Sequence, residues 1–349
     1  MVSYFLNKKK FINIPAFSIT GIGSLPHLNA EEACSFVLDN TDIPFWPQLP
    51  RLSFFELMIP QFSEGLPFLK VDEERQKIWI EDDGSNSLNE FYERYSDGIM
   101  TSISERNSKG FYAFLKSIKG MHFDFLKGQT TGPLTFTLGL KDKKGRPIYF
   151  DEELREVSLL LLKSKIRWQI NILREYANNV IVFIDEPILS ALGTSSYLGV
   201  DTEEVIRLLR ETSDEIKQSN CISGIHCCAK ADWQIVIKSG VDIVSFDAYE
   251  YAQTLSIYPD EFNDFLKRGG YLAWGIVPTT EAIIKESTES LKEHFNLSLE
   301  KLSKYLPYGL LIKQIIMTPS CGLGSRSIED STKVFRILRE LKNLLHRYL

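Results

Sequence analysis

Cys221-Ile222-Ser223-Gly224-Ile225-His226-Cys227-Cys228 is an apolar run that ends in metal-binding chemistry. Its composition reads as a strand buried on both faces. Side chains alternate along a strand, so His226 and Cys228 share one face and Cys227 takes the other. Imidazole nitrogen and thiolate sulfur are preferred zinc ligands. Later in the chain come two candidates to complete a site. They are Asp247, closing Val244-Ser245-Phe246-Asp247, and Cys321 in Thr318-Pro319-Ser320-Cys321-Gly322-Leu323.

Seven further apolar stretches share this character: Phe17–Ile22, Ile43–Pro50, Phe123–Gly128, Val180–Ile184, Val241–Phe246, Tyr271–Ile276 and Ile312–Met317. Helical patterns separate nearly all of them. Asn29 caps one through Leu38, and others run from Ser53 to Phe62, Asp151 to Asn178 and Asp201 to Gln218. The rest span Ala231 to Ser239, Pro259 to Lys267, Thr280 to Lys304 and Arg326 to Tyr348. Eight strands alternating with helices predict an α/β fold, a (β/α)8 barrel, rather than a doubly wound sheet. The stretch from about 66 to 119 holds a charged hairpin over Phe68–Glu81 and helical segments over Leu88–Lys119. It reads as an insertion after the second strand, and residues 1–349 read as one barrel domain.

Composition narrows the function classes. The 349 residues are 44% hydrophobic and 25% charged, as in an ordinary soluble globular protein. A net charge of −6 argues against a nucleic-acid footprint. No run of about 18 apolar residues predicts a membrane span. In Met1–Lys10 the lysines follow the apolar residues, the reverse of a secretory signal. The five cysteines are odd in number and lack framework spacing, so they read as reduced cytosolic thiols.

Barrel chemistry sits at the C-terminal strand ends. Ser24, Asp185, His226, Cys228, Asp247 and Cys321 all fall there, with Glu64 beyond the second strand. Taken alone, either cysteine would be a packing thiol. Three ligand types at strand exits on one side of the mouth read instead as a metal site, with Asp247 as a ligand or near-ligand. Asp185 and Glu186 are adjacent, so only one can enter the mouth. A single carboxylate there suits a substrate ammonium group. Trp274 lies at the seventh strand exit, where a stacking role competes with packing.

Five motifs, in order, carry a resemblance. They are Gly21-Ile22-Gly23-Ser24, Thr131-Gly132-Pro133-Leu134-Thr135, Ile184-Asp185-Glu186-Pro187, His226-x-Cys228 and Pro319-x-Cys321-Gly322-Leu323. Together they resemble the catalytic C-terminal barrel of the cobalamin-independent methionine synthases, within the uroporphyrinogen decarboxylase/methionine synthase superfamily. The resemblance implies Zn2+ held by His226, Cys228 and Cys321, with Asp247 standing where those enzymes carry a glutamate. It implies homocysteine bound by Ile22 and Ser24 at its carboxylate and by Asp185, with Glu64, at its amino group. It implies no catalytic residue beyond the zinc site.

Three departures fall on the methyl-donor side. The duplicated N-terminal barrel is expected to be absent. The tryptophan after the Gly-Pro-x-Thr motif is replaced near Gly139, and the histidine expected near the seventh strand exit is replaced by Trp274-Gly275-Ile276. The chain thus resembles the short "core" methionine synthases, cytoplasmic thiol methyltransferases. The donor implied is a methylcorrinoid, methylcobalamin or a corrinoid protein, or else 5-methyltetrahydrofolate. The competing expectations are a uroporphyrinogen-decarboxylase-like enzyme, a methylcobamide:thiol methyltransferase with another acceptor, and a non-catalytic zinc-stabilised partner protein.

Overall fold

The structure, a computed structural model, describes residues 13–194, 197 and 199–349. The Met1–Lys10 start lies outside them. Nine strands are present: β1 (Ser18–Ile19), β2 (Leu69–Asp72), β3 (Lys77–Ile80), β4 (Phe123–Thr131), β5 (Ala177–Asp185), β6 (Ile222–Cys227), β7 (Ile243–Asp247), β8 (Tyr271–Val277) and β9 (Ile315–Pro319). Seven make one parallel sheet in the order β1-β9-β8-β7-β6-β5-β4.

Segment 43–48 lies between the two edges of that sheet. It bridges β4 through Phe45 and Lys127, and it bridges the β1 exit through Ser24 and Gln48, both in parallel. Lys127 N–H donates to the Pro44 carbonyl at 2.8 Å, and Gln48 N–H to the Gly23 carbonyl at 3.0 Å. Pro44 and Pro47 have no N–H to donate, which limits this element to bridges rather than a full ladder. With it the sheet curls into a (β/α)8-like barrel.

The strands are buried on both faces, as their unbroken apolar runs require. Ile14, Ile43, Ile181, Phe183, Ile222, Ile243 and Ile316 fill one compact cluster, with Tyr271 and Ala273. Gly224 makes room for it: a Cβ there would lie 2.4 Å from the Phe183 ring. The larger cluster packs the helices onto the sheet. Trp274 belongs to it, fully buried edge-on to Phe246 and Phe295 at 5.5 and 5.6 Å. It stands mid-strand in β8 rather than at the strand exit expected, and packs on the helix side.

Asn29, Asp151, Asp201 and Ser327 each cap a helix by accepting an N–H three residues on. Two sequence expectations are corrected. The Thr280–Lys304 pattern splits into a 3-10 turn, Glu281–Ile284, and a helix, Thr288–Leu302. Ser287 and Ser290 form a capping box there, a stronger start than Thr279 or Thr280 provides. The last strand begins at Ile315, because Tyr308–Lys313 is helical after Pro307. The stretch predicted as an insertion holds the antiparallel β2–β3 hairpin and two helices, Ser87–Ser96 and Lys109–Ser117.

Lys165, on the helix Glu152–Leu173, is fully buried and donates to the Ser102 carbonyl at 2.9 Å. Burial lowers its pKa from 10.5 to about 7, with the Glu64 charge opposing the shift. Between those values the folded chain binds fewer protons than the unfolded chain, so this residue makes stability rise with pH. Lys165→Met is expected to remove that slope. Urea unfolding of both proteins at intervals from pH 7 to 10 reads it, and a constant difference between them rejects it.

Candidate active site

The ends of β5, β6 and β9 meet at the barrel mouth. Asp185 and His226 are register partners, and His226 pairs with Ser245 of β7. The Ser245 hydroxyl lies 2.9 Å from His226 Nδ1. This contact orients the ring, and the buried Nε2 has no partner. Cys228 follows the last residue of β6, and Cys321 follows β9. One ligand atom from each of His226, Cys228 and Cys321 lies within 4.8 Å of the other two.

The two thiols are hydrogen-bonded to each other. The Cys321 bond and then the His226 ring hold the Cys228 thiol far below the usual range. The bond to that thiolate, together with burial, drives the Cys321 thiol far above it. An orphaned imidazole nitrogen beside two cysteine sulfurs fits a zinc ion, whose tetrahedral site would keep one position for a substrate.

His226, Cys228 and Cys321 line a cleft of about 480 Å³ together with Ile22, Ser24, Gln48, Glu56 and Asp185. Burial raises the Asp185 pKa to about 6, against the pull of Lys127 and His226, and its Oδ1 has no partner. Glu186 faces the other way, as strand alternation requires. It is fully buried and accepts from Leu134 N–H, Thr135 N–H and the Thr135 hydroxyl at 2.8, 2.8 and 2.6 Å. Ser24 is clasped from the β9 side, taking Gly324 N–H at 3.2 Å and, on its carbonyl, Leu323 N–H at 2.9 Å. A Cβ at Gly322 would lie 2.2 Å from the Ser24 hydroxyl.

Two of the expected site residues stand apart. Asp247 lies outside the three-atom cluster, and its carboxylate caps the following turn by accepting Glu250 N–H at 3.0 Å. Burial first, and the nearby Cys228 charge among lesser causes, raise its pKa to about 6. Glu64 does not line the cleft; it accepts Ser104 N–H at 2.9 Å. Glu56 is the glutamate that does. It is buried, its pKa raised to about 7 by desolvation, and it holds Leu49, Lys109 and Gly110 N–H groups. Its one-residue phase within Phe54-Phe55-Glu56-Leu57 gave no hint of this.

Lys127 was also missed. It is fully buried on β4, donating to the Ile22 carbonyl at 2.6 Å and to Gln129 at 3.3 Å, with its ammonium 4.5 Å from the Phe183 ring centre. The available signal was a lysine in phase with Phe125 inside an apolar strand.

Fold and site together define a class: a (β/α)8-type barrel carrying a His/Cys/Cys cluster at its C-terminal strand ends. Among solved structures the fold is similar to that of a B12-independent methionine synthase from Shewanella sp. W3-18-1, in complex with selenomethionine. The TM-score is 0.57 at 14% identity, over 95% of this chain and 98% of that chain. An ochratoxinase from A. niger overlaps over 51% of this chain and 40% of that chain, at 18% identity and a TM-score of 0.25. No family model and no curated protein matches the chain. The similarity is thus one of fold.

Proposed function

We propose that this protein is a zinc-dependent methyltransferase that moves a methyl group to the thiol of homocysteine, forming methionine. The observation that carries this reading is the convergence of His226, Cys228 and Cys321 beside an unpartnered Asp185 in one cleft. Zinc, when bound by His226, Cys228 and Cys321, would supply acidification of a coordinated thiol at neutral pH.

The chain's own groups orient the acceptor. Asp185 takes the ammonium group through a charge-assisted hydrogen bond. The Ile22–Ser24 turn meets the carboxylate end, and Lys127 pins that turn through the Ile22 carbonyl. Lys127 also places a positive charge beside Asp185. Fixing both ends of the amino acid aims its sulfur, and that orientation is the barrel's contribution to rate. The new S–C bond forms as the donor's bond to methyl breaks, the bonding pair staying with the donor.

The donor we propose is a methylcorrinoid. The reading is supported by Gly139, where a side chain would run into Ile59 Cδ1 at 2.3 Å, and by Trp274, which is packed into the core. Neither position offers a stacking or acid–base group to a folate. The Shewanella enzyme is described as B12-independent, which makes 5-methyltetrahydrofolate the competing donor.

Elemental analysis of protein purified without added metal tests the site, with about one zinc per chain expected. No zinc after reconstitution overturns the reading. Methionine formation from homocysteine is then compared with methylcobalamin and with methyltetrahydrofolate, and turnover with the folate alone reverses the donor assignment. Asp185→Asn is expected to keep its zinc and bind homocysteine about tenfold more weakly, the scale of one charge-assisted bond. Unchanged affinity by calorimetry rejects the ammonium role.

A further inference from the structure

We propose that Arg51 is the residue that makes the cleft selective for thiols bearing a carboxylate. This rests on the thiol-acceptor reading of the cleft and adds a cation to the carboxylate end that the Ile22–Ser24 turn meets.

Arg51 follows the barrel-closing segment and lines the same cleft as His226, Cys228 and Cys321. Its guanidinium donates one hydrogen bond, to the Ser325 carbonyl at 2.8 Å. Arg51 is exposed at the cleft rim and, among the described residues, makes no ion pair. Of the carboxylates that share its cleft, Glu56 holds three backbone N–H groups, and Asp185, within the field of Lys127, leaves its Oδ1 open to an ammonium group. A guanidinium offers five donors in a planar fork, so the bond to Ser325 leaves donors for a carboxylate.

The rim is built to hold Arg51 in place. The loop after Cys321 is pressed against the Arg51 turn: a Cβ on Gly324 would lie 2.6 Å from the Pro50 ring and 3.2 Å from Ser24. Gly324 N–H is tied to the Ser24 hydroxyl at 3.2 Å. Arg51 is therefore anchored on the loop that carries Cys321, and the same cleft holds Asp185. A cation held against the Cys321 loop and a carboxylate at the β5 end are the two charges needed to read both groups of an α-amino acid whose sulfur reaches the cysteines. A ligand with a thiol and no acid group would leave the guanidinium unused.

The test uses zinc-loaded full-length protein and three thiols. Homocysteine carries both charges, 4-mercaptobutanoate the carboxylate alone, and 3-aminopropane-1-thiol the ammonium alone. Binding is measured by calorimetry for wild type, Arg51→Met and Arg51→Lys. Arg51→Met is expected to weaken the two carboxylate thiols about tenfold or more, a charge-assisted bidentate contact, and to leave the aminothiol unchanged. Arg51→Lys is expected to recover part of the loss. Equal weakening of all three thiols shows that Arg51 acts only by anchoring the Ser325 loop, and overturns the proposal. No weakening of any thiol overturns it as well. If wild type binds the carboxylate thiols through Arg51 but forms no methionine with either donor, the carboxylate site stands and the methyltransferase reading falls. If wild type binds no thiol, both fall.

Discussion

Cys321→Ser protein is expected to emerge from purification nearly free of zinc and to form methionine at less than about a hundredth of the wild-type rate. Changes in groups that merely support a metal ligand lower affinity by about 10–100-fold, and removal of a thiolate ligand should exceed that. A serine hydroxyl stays protonated at neutral pH and is a hard, weak zinc donor. The matched control is Cys227→Ser. Cys227 is fully buried on the opposite face of β6, its thiol directed at the Ala229 carbonyl at 3.6 Å, and it should leave zinc content unchanged. Normal zinc content in Cys321→Ser would falsify the metal assignment. Zinc loss in Cys227→Ser as well would mean that the strand end had simply unfolded.

Glu186→Ala is expected to give the largest loss of stability among single changes near the site, about 3–5 kcal/mol, since it strands three buried donors at about 1–3 kcal/mol each. The Glu186 carboxylate occupies the space beside Gly132, where an added Cβ would lie 2.1 Å from the Glu186 carboxyl carbon. It accepts the first free N–H groups of the helix Pro133–Gly139, and the Thr135 hydroxyl as well. Alanine leaves these donors buried without acceptors, and each such group costs about 1–3 kcal/mol. It leaves a cavity too. Glu186→Gln should recover much of the loss, because its amide oxygen still accepts. Denaturant unfolding of the three proteins reads this order, and an alanine variant within about 1 kcal/mol of wild type would rule out the capping role.

The neighbouring carboxylates show how strand geometry divides labour. Asp185 and Glu186 differ by one position, and the alternation that sends Asp185 into the cleft sends Glu186 under the helix. That division was legible before any coordinates. So were the order of the barrel strands and the placing of His226, Cys228 and Cys321 at strand ends, because each strand is an apolar run and each of these residues stands where such a run stops.

Other elements required the folded chain. Segment 43–48 reads as a strand, but its prolines cut its pairing to bridges, and only the positions of β1 and β4 show that it completes the sheet. The helix predicted from Thr280 divides at Ser287, where a capping box competes with helical periodicity over the same residues. Trp274 stands in the middle of β8, and its face could be known only from the register of β8 on β7 and β9.

The sequence by itself determined the barrel class, the strand ends and the residue types that stand at them, because periodicity and composition are local properties of the chain. The tertiary structure decided which groups meet. It put Glu56 rather than Glu64 at the cleft, turned Asp247 to cap a helix, buried Lys127 beneath Ile22 and left Arg51 with an unused fork. Each of these depends on side chains from elements far apart in sequence, whose approach is set by packing and not by any pattern within one element.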